Sequence, residues 1–133
     1  MNYHNIKTCD LLNGEGARVV LWVSGCQHSC EGCFNKQTWD KNSGIPFTDD
    51  TFKEITDALS EPFCNGLTLS GGDPLAPFNY EEILSLCKKV KQMFPEKTIW
   101  VYSGFTYDFI KENRNEILNY IDVLVDGPYI EKL

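Results

Sequence analysis

The fold of this 133-residue chain is decided by residues 18–35, which read RVVLWVSGCQHSCEGCFN. The first half is an almost continuous run of β-branched, aliphatic and aromatic residues, which is typical of a strand buried on both faces of a parallel sheet. The second half carries Cys26, Cys30 and Cys33. A strand that leads directly into a compact group of thiolates indicates a metal site. Because a structural zinc or an ordinary iron–sulfur cluster takes four protein ligands, three cysteines predict a metal position that is open to another ligand.

Composition narrows the class of protein. The chain has 12 basic and 19 acidic residues, a net charge of -7, and no basic stripe interleaved with aromatic residues, so nucleic acid is not an expected partner. No apolar run approaches the roughly 20 residues that span a bilayer, and the first residues do not resemble a signal peptide. We therefore expect a single domain over residues 1–133, located in the cytoplasm, with no membrane partner.

The cysteines outside the loop are interpreted differently. Six cysteines in a short chain fit a disulfide framework only in a secreted protein, and an export signal is missing. Cys9, Cys64 and Cys87 are scattered, and Cys87 falls on the apolar face of a predicted helix. We expect these three to be buried core residues.

Strands and helices alternate along the rest of the chain. Apolar periodicity and capping residues predict short strands at 6–12, 67–69, 99–102 and 123–125 and helices that begin at Thr48, at Asn79 with Glu82 as a capping box, and at Thr106. Alternation of this kind favours an α/β fold with a mostly parallel sheet and right-handed crossovers. Because a complete eight-stranded barrel needs about 250 residues, we expect an open partial (βα) barrel.

Each core strand ends in a small or acidic residue followed by glycine. The four pairs are Ser24-Gly25, Ser70-Gly71, Ser103-Gly104 and Asp126-Gly127. The carboxyl ends of parallel strands lie along one edge of the sheet, where ligands bind. The cysteine loop and the loop Gly71-Gly72-Asp73-Pro74 are therefore expected to face one cleft, although a Gly-Gly-Asp loop alone is more often a simple turn.

Cys26, Cys30 and Cys33, followed by the aromatic Phe34, resemble the signature of the radical S-adenosylmethionine enzymes. The resemblance implies a [4Fe-4S] cluster on three cysteines, with the fourth iron chelated by S-adenosylmethionine. Gly71-Gly72-Asp73-Pro74 resembles the second motif of that family, which receives the methionine amino group, and a carboxylate can accept hydrogen bonds from an ammonium.

Further contacts with this cofactor are expected from both loops and from the strand ends. In the cysteine loop, Gly32 relieves crowding around the cluster, Phe34 packs near the adenine or in the core, and Asn35 contacts the nucleotide or caps the turn. The full set of predicted cofactor-binding residues is Gly32, Cys33, Phe34, Asn35, Gly71, Gly72, Asp73, Pro74, Ser103 and Asp126, with Tyr102 as a further residue of the cleft.

Over nearly its whole length the chain is similar to the activating proteins of anaerobic (class III) ribonucleotide reductases. The matching positions are Asn13-Gly14, Gly16, Arg18, 26–35, Thr38-Trp39, Gly44, Phe47-Thr48, 70–75 and 123–127. Members of this family usually continue with a short polar segment beyond the position of Leu133, so we expect that segment to be missing here.

The resemblance implies that a low-potential electron donor such as a flavodoxin reduces the cluster. S-Adenosylmethionine is then cleaved to methionine and a 5'-deoxyadenosyl radical, which takes a hydrogen atom from a glycine in the large reductase subunit. No side chain is expected to act as a catalytic acid or base.

Two alternatives remain. Activating enzymes of other glycyl-radical enzymes, such as pyruvate formate-lyase, form a neighbouring group, but they are usually longer and commonly carry Glu where this chain has Asp73. A non-catalytic protein is the other alternative, either an iron–sulfur electron carrier or a zinc protein with His28 as the fourth ligand.

Overall fold

The computed structural model describes residues 1–11, 14–25, 44–126 and 129–132, the last of these for the backbone only. Within these ranges the strands are β1 (Asn2–Asp10), β2 (Ala17–Val23), β3 (Ile45–Pro46), β4 (Cys64–Gly71), β5 (Thr98–Ser103), β6 (Val123–Asp126) and β7 (Tyr129–Lys132). The helices are α1 (Asp49–Leu59), α2 (Pro77–Met93) and α3 (Tyr107–Asn113), and a 3₁₀ helix covers Asn115–Asn119. None of the helices in these ranges has the length and apolar character needed to cross a membrane.

The described strands form one mixed sheet in the order β3-β1-β2-β4-β5-β6-β7. The four central strands, β2, β4, β5 and β6, are parallel, as the alternation of strands and helices predicts. Both margins are antiparallel, because β1 pairs with β2 and β3, and β7 pairs with β6. The α/β class is therefore confirmed, and the central parallel strands are extended on both sides by pairings that the sequence does not predict.

The helices pack against one face of this sheet. Alternate residues of the central strands, among them Val19, Leu21, Leu67 and Val101, share a single buried cluster with apolar residues of all the helices. Residues that point to the opposite face, such as Val20 and Trp100, are also buried but lie outside that cluster. The described helices therefore cover one face of the sheet. The opposite face, which we name the inner face, carries buried residues that lie outside the cluster shared with the helices.

The helix boundaries correct two predictions. Thr48 precedes α1 as expected, and its backbone N–H donates to Thr51 Oγ1 at 3.1 Å. Asn79 does not cap α2, because the helix begins two residues earlier at Pro77 with Ala76 as the N-cap. Proline is favoured in the first turn, where its missing N–H leaves no intrahelical bond unmade. The helix expected from Thr106 is interrupted at Arg114, so α3 and the 3₁₀ helix are separate elements.

The scattered cysteines do not form one class. Cys64 and Cys87 are buried as predicted, and burial raises the pKa of the Cys87 thiol to about 12. Cys9 is exposed, so its interpretation as a core residue is wrong. It lies on β1 near the margin of the sheet, where its side chain is accessible to solvent.

Arg18 lies on the inner face and is only 1% exposed. Its guanidinium makes five hydrogen bonds, to Thr68 Oγ1, Glu15 O, Thr98 Oγ1, Leu67 O and Thr98 O, at 2.7–3.2 Å. The five N–H donors of arginine are therefore all used, and the charge also lies 5.6 Å from the ring centroid of Trp100. Burial lowers the pKa of Arg18. Through its hydrogen bonds Arg18 joins the start of β2 to the middle of β4 and the start of β5.

We predict that Arg18→Lys destabilises the fold. An ammonium has three donors on a narrower head, so at least two of the five acceptors lose their partner in a buried site. The expected loss in the free energy of unfolding is about 2–4 kcal/mol, measured by urea denaturation. Lys53→Arg, on the exposed face of α1, is the control and should change stability by no more than about 0.5 kcal/mol. Equal stability of the two variants would contradict the role given to Arg18.

The different exposure of Cys9 and Cys87 predicts different rates of thiol alkylation. At pH 8, ~10⁻⁴ of the Cys87 thiol is ionised, and a buried thiol is also shielded from reagents. Iodoacetamide should therefore modify Cys9 in the folded protein well before Cys87, as followed by peptide mass spectrometry. Both cysteines should react at similar rates in urea. Similar rates in the absence of urea would contradict the burial of the Cys87 thiol.

Candidate functional site

The end of β2 is bonded to the loop that follows β4. Three consecutive carbonyl oxygens, those of Val23, Ser24 and Gly25, accept hydrogen bonds from this loop and the start of α2. The donors are Gly72 N at 2.9 Å, Asn79 Nδ2 at 2.9 Å and Asp73 N at 2.8 Å, in the same order. Since Gly25 directly precedes Cys26, the base of the cysteine loop and the Gly-Gly-Asp loop are adjacent, as the ends of two parallel neighbouring strands predict.

Close contact between these segments requires glycine at two positions. Gly71 has φ +106°, a conformation that residues with side chains rarely adopt. A Cβ atom on Gly72 would lie 2.4 Å from the carbonyl oxygen of Gly25. The glycines therefore allow the backbone of the loop to approach the backbone of β2 within hydrogen-bonding distance.

The Asp73 carboxylate connects the loop after β4 to the loop after β5. The residue is fully buried. Oδ1 accepts from Leu75 N at 2.9 Å and from the Ser103 hydroxyl at 2.9 Å, and Oδ2 accepts from Gly104 N at 3.0 Å. Ser103 Oγ in turn accepts from Phe105 N at 3.1 Å. Asp73 and Ser103 are thus brought together as predicted, and Asp73 has a scaffold role that the sequence does not reveal.

A cavity of about 260 Å³ opens at this edge of the sheet. It is lined by the ends of three parallel strands and the loops after them, including Gly71, Gly72, Tyr102, Ser103 and Gly104. Glycine presents only backbone, so amide and carbonyl groups form much of the wall. Burial raises the pKa of Tyr102, which keeps its phenol neutral, and Arg18 opposes this shift. Tyr102 and Ser103 therefore lie in the cleft, as the strand-end pattern predicts.

Asp126 brings an unused acceptor to the same edge. Its Oδ2 accepts from Tyr107 N at 2.8 Å. Its Oδ1 is buried and has no hydrogen-bond partner among the residues that the structure describes. β6 pairs with β5 so that Asp126 is opposite Ser103 at this edge of the sheet, but Asp126 is not among the residues that line the cavity. A buried carboxylate oxygen without a partner is costly and is a feature of sites that receive a ligand.

Several predicted site residues lie outside the described residues. They are Cys26, Gly32, Cys30, Cys33, Phe34 and Asn35, together with His28. Their ligand and cofactor contacts stay predictions from the sequence. Sequence reasoning did not identify Asn79 as a residue of the site, because its Asn-x-x-Glu context resembles a helix cap. Its side-chain amide instead donates to Ser24 O and Asp73 O.

A larger cavity, about 630 Å³, lies at the opposite edge around Arg18, Lys97 and Asp122. The charged groups of these three residues are already bonded within the chain. Lys97 Nζ donates to the carbonyl oxygens of Glu61 and Cys64, and Asp122 Oδ2 accepts from Lys91 Nζ and Ile99 N. In parallel sheets ligands bind at the carboxyl ends of the strands, so the smaller cavity is the candidate site.

Comparison with known proteins agrees with a cluster-binding site. A family described as a 4Fe-4S single cluster domain matches residues 12–133. A protein of Enterobacteria phage T4 is 50% identical over 100% of this chain and 84% of its own length. Proteins of Haemophilus influenzae and Escherichia coli (strain K12) are each 42% identical, over 99% and 100% of this chain and 86% and 88% of their own lengths. All three are named anaerobic ribonucleoside-triphosphate reductase-activating protein.

We predict that Asp73→Asn destabilises the protein despite its equal size. The new amide group replaces one acceptor with a donor that faces Gly104 N–H or Leu75 N–H, so one buried pair becomes donor against donor. The expected cost is about 2–4 kcal/mol in the free energy of unfolding, measured by urea denaturation. Asp57→Asn, at an exposed position of α1, is the matched control and should have almost no effect. A similar small effect for both variants would show that Asp73 does not connect the loops.

Proposed function

The chain belongs to the family of anaerobic ribonucleoside-triphosphate reductase-activating proteins, and on this basis we propose that it is a radical S-adenosylmethionine enzyme that installs a glycyl radical on such a reductase. The observation that carries the proposal is the hydrogen-bonded contact between the Gly-Gly-Asp loop and Gly25, the residue before the first cysteine. This contact supports a single site that combines the cysteine loop with the open, backbone-lined cavity beside the Gly-Gly-Asp loop.

In this proposal Cys26, Cys30 and Cys33 hold a [4Fe-4S] cluster, and S-adenosylmethionine binds beside it. Three thiolates suit a cluster that leaves one iron for a non-protein ligand. The cavity wall supports the second half of the site, since Gly71 and Gly72 expose backbone dipoles there. Asp126, a predicted cofactor contact at the same edge of the sheet, has a buried Oδ1 without a partner among the described residues. A ligand with an ammonium group and sugar hydroxyls can supply the donors that these acceptors need.

Bound together, the cluster would supply one electron from an external donor, and S-adenosylmethionine would be cleaved by it to methionine and the radical that takes a hydrogen atom from a glycine α-carbon of the reductase. The chain's own residues orient the reactants and exclude water. Asp73 and Ser103 fix two loops of the pocket, Tyr102 gives a neutral polar wall, and Pro74 is buried within the Gly-Gly-Asp loop.

The family motif predicts that the Asp73 carboxylate receives the methionine ammonium, but this carboxylate is fully buried and bonded to Leu75 N, Ser103 Oγ and Gly104 N. We propose that it supports the pocket and that backbone groups of Gly71 and Gly72 face the cofactor.

We further propose that the sheet curves into a partial (βα) barrel. Support comes from the covering of one face by all the described helices, together with the burial of Arg18, Val20, Thr68 and Trp100 on the other face. A doubly wound sheet would place helices on both faces. In a barrel the inner face would be enclosed by curvature, and the cofactor would bind at its carboxyl end.

The partners proposed are the glycyl-radical subunit of the reductase and a low-potential electron donor such as a flavodoxin. Both cluster assembly and radical chemistry suit the reducing cytoplasm, where free thiols persist. The reductase must present a glycine to the cavity edge, so the loops after β4, β5 and β6 would form the surface that it approaches.

The proposal predicts cleavage of S-adenosylmethionine. Protein loaded anaerobically with iron and sulfide and reduced with dithionite should form methionine and 5'-deoxyadenosine, and should produce a glycyl-radical signal in electron paramagnetic resonance when mixed with the anaerobic reductase. Cys30→Ala should abolish cleavage with no loss of folding, because it removes one of three thiolate ligands. Cys9→Ala, at an exposed cysteine far from the cavity, should cleave like the unmodified protein.

The outcomes separate the alternatives. A radical on pyruvate formate-lyase but not on the reductase would overturn the partner. If the protein holds a full complement of iron and sulfide but does not cleave S-adenosylmethionine, it is a non-catalytic iron–sulfur protein. If it binds zinc in place of iron, the metal site is structural. Cleavage by Cys30→Ala would remove Cys30 from the ligand set.

A further inference from the structure

We propose that Asn79 is a positioning residue for the radical reaction, an inference that rests on the proposed function. Its side-chain amide joins the entrance of the cysteine loop to the Gly-Gly-Asp loop. The Nδ2 group donates to Ser24 O at 2.9 Å and to Asp73 O at 3.0 Å. One buried NH₂ group thereby sets the distance between the segment that carries the cluster ligands and the segment that lines the cavity.

The direction of these bonds separates this role from helix capping. A capping side chain acts through an acceptor oxygen that receives a backbone N–H. Asn79 instead uses both hydrogens of its amide as donors to carbonyl oxygens that lie outside the helix. The N-cap position is filled by Ala76, and Asn79 lies in the first turn with only 2% of its surface exposed. Capping therefore does not explain a buried asparagine here.

The bridge is anchored in the core. Asn79 belongs to α2, whose buried face carries Ile83, Leu86, Cys87 and Val90. The neighbouring links to Val23 O and Gly25 O come from backbone N–H groups of Gly72 and Asp73, which no side-chain substitution removes. Asn79 supplies the side-chain link between these segments, and it ties them to a helix that is held by apolar packing. Loss of its donors should loosen the segments without removing any predicted cofactor ligand.

Two variants remove the donors in different ways. Asn79→Asp keeps the shape but places a carboxylate oxygen against two carbonyl oxygens, which is repulsive and leaves the acceptors without donors. Asn79→Ala removes the donors without adding charge, and it decides the question if the aspartate variant does not fold. Gln92→Glu is the matched control, because it makes the same amide-to-carboxylate change on an exposed position of α2.

The first measurement needs no cofactor. Hydrogen exchange, followed by mass spectrometry on peptides that cover residues 70–76, reports the Gly72 and Asp73 amides that bond to β2. We expect exchange there to accelerate by about tenfold or more in Asn79→Ala, with α1 unchanged, because the opening of the two segments becomes easier. Gln92→Glu should match the unmodified protein. Unchanged exchange in the folded Asn79 variants would overturn the inference.

The second measurement uses the protein loaded with iron and sulfide. S-Adenosylmethionine is titrated against the electron paramagnetic resonance spectrum of the reduced cluster. The concentration that gives half of the spectral change should rise by about tenfold or more in the Asn79 variants at equal iron content, as is typical when residues that support a ligand shell are lost. Faster exchange with an unchanged titration would show a purely structural role and would also overturn the inference.

Failure of the proposed function has a different signature. If the unmodified loaded protein shows no spectral response to S-adenosylmethionine and no cleavage, the proposed function is overturned, and the claim that Asn79 positions this cofactor falls with it. Normal response in the unmodified protein and in Gln92→Glu, with weakened response in the Asn79 variants, supports both proposals.

Discussion

The described structure depends on how the end of β2 is held. A strand that stops before a cysteine loop leaves carbonyl oxygens with no ladder partner, and buried groups of this kind must be satisfied. Here the oxygens of Val23, Ser24 and Gly25 are all satisfied by the segment 72–79. The same bonds that remove an energetic cost also fix the relative position of two loops. Stability and site geometry therefore have a common origin at this edge.

The two ends of the parallel strands are stabilised by different means. At the amino ends, the long side chains of Arg18 and Lys97 reach across neighbouring strands and donate to their carbonyl groups. At the carboxyl ends, short side chains and glycine backbone make the contacts. Both edges have a cavity, but their walls differ in chemistry. The cavity at the amino ends is lined by long charged side chains that join strands, whereas the cavity at the carboxyl ends is lined largely by glycine backbone and short side chains.

Much of the central fold could be predicted from the sequence, because strands buried on both faces appear as continuous apolar runs. The glycine after each such run also identified the edge where Ser103 and Asp73 meet. The antiparallel margins could not be predicted in the same way. β1 begins at Asn2 and contains several polar residues, and β3 has two residues, so neither shows a clear apolar period. Pairing there is decided by neighbouring strands rather than by local sequence.

Asn79 shows why the site was harder to predict than the sheet. Asn-x-x-Glu is a valid capping pattern, but the local sequence also contains Pro77, which fits the first turn of a helix equally well. Which residue begins the helix is settled by tertiary bonds to Ser24, a residue 55 positions away. A contact of that separation leaves no periodic trace in the sequence. The scaffold role of Asp73 was missed for the same reason, since its partner Ser103 is 30 positions distant.

The geometry around Asp73 explains why aspartate suits this position better than glutamate. Oδ1 accepts from the N–H two residues ahead, the arrangement of an Asx-turn, which needs a carboxylate one methylene from the backbone. The side chain is fully enclosed, so an added methylene would have to displace Ser103 or Gly104. A glutamate could keep a negative charge at this edge. It could not accept from Leu75 N in its own loop and from Gly104 N in the next loop at the same time. The short acid shapes the pocket, and the glycines before it leave backbone groups to face the cavity.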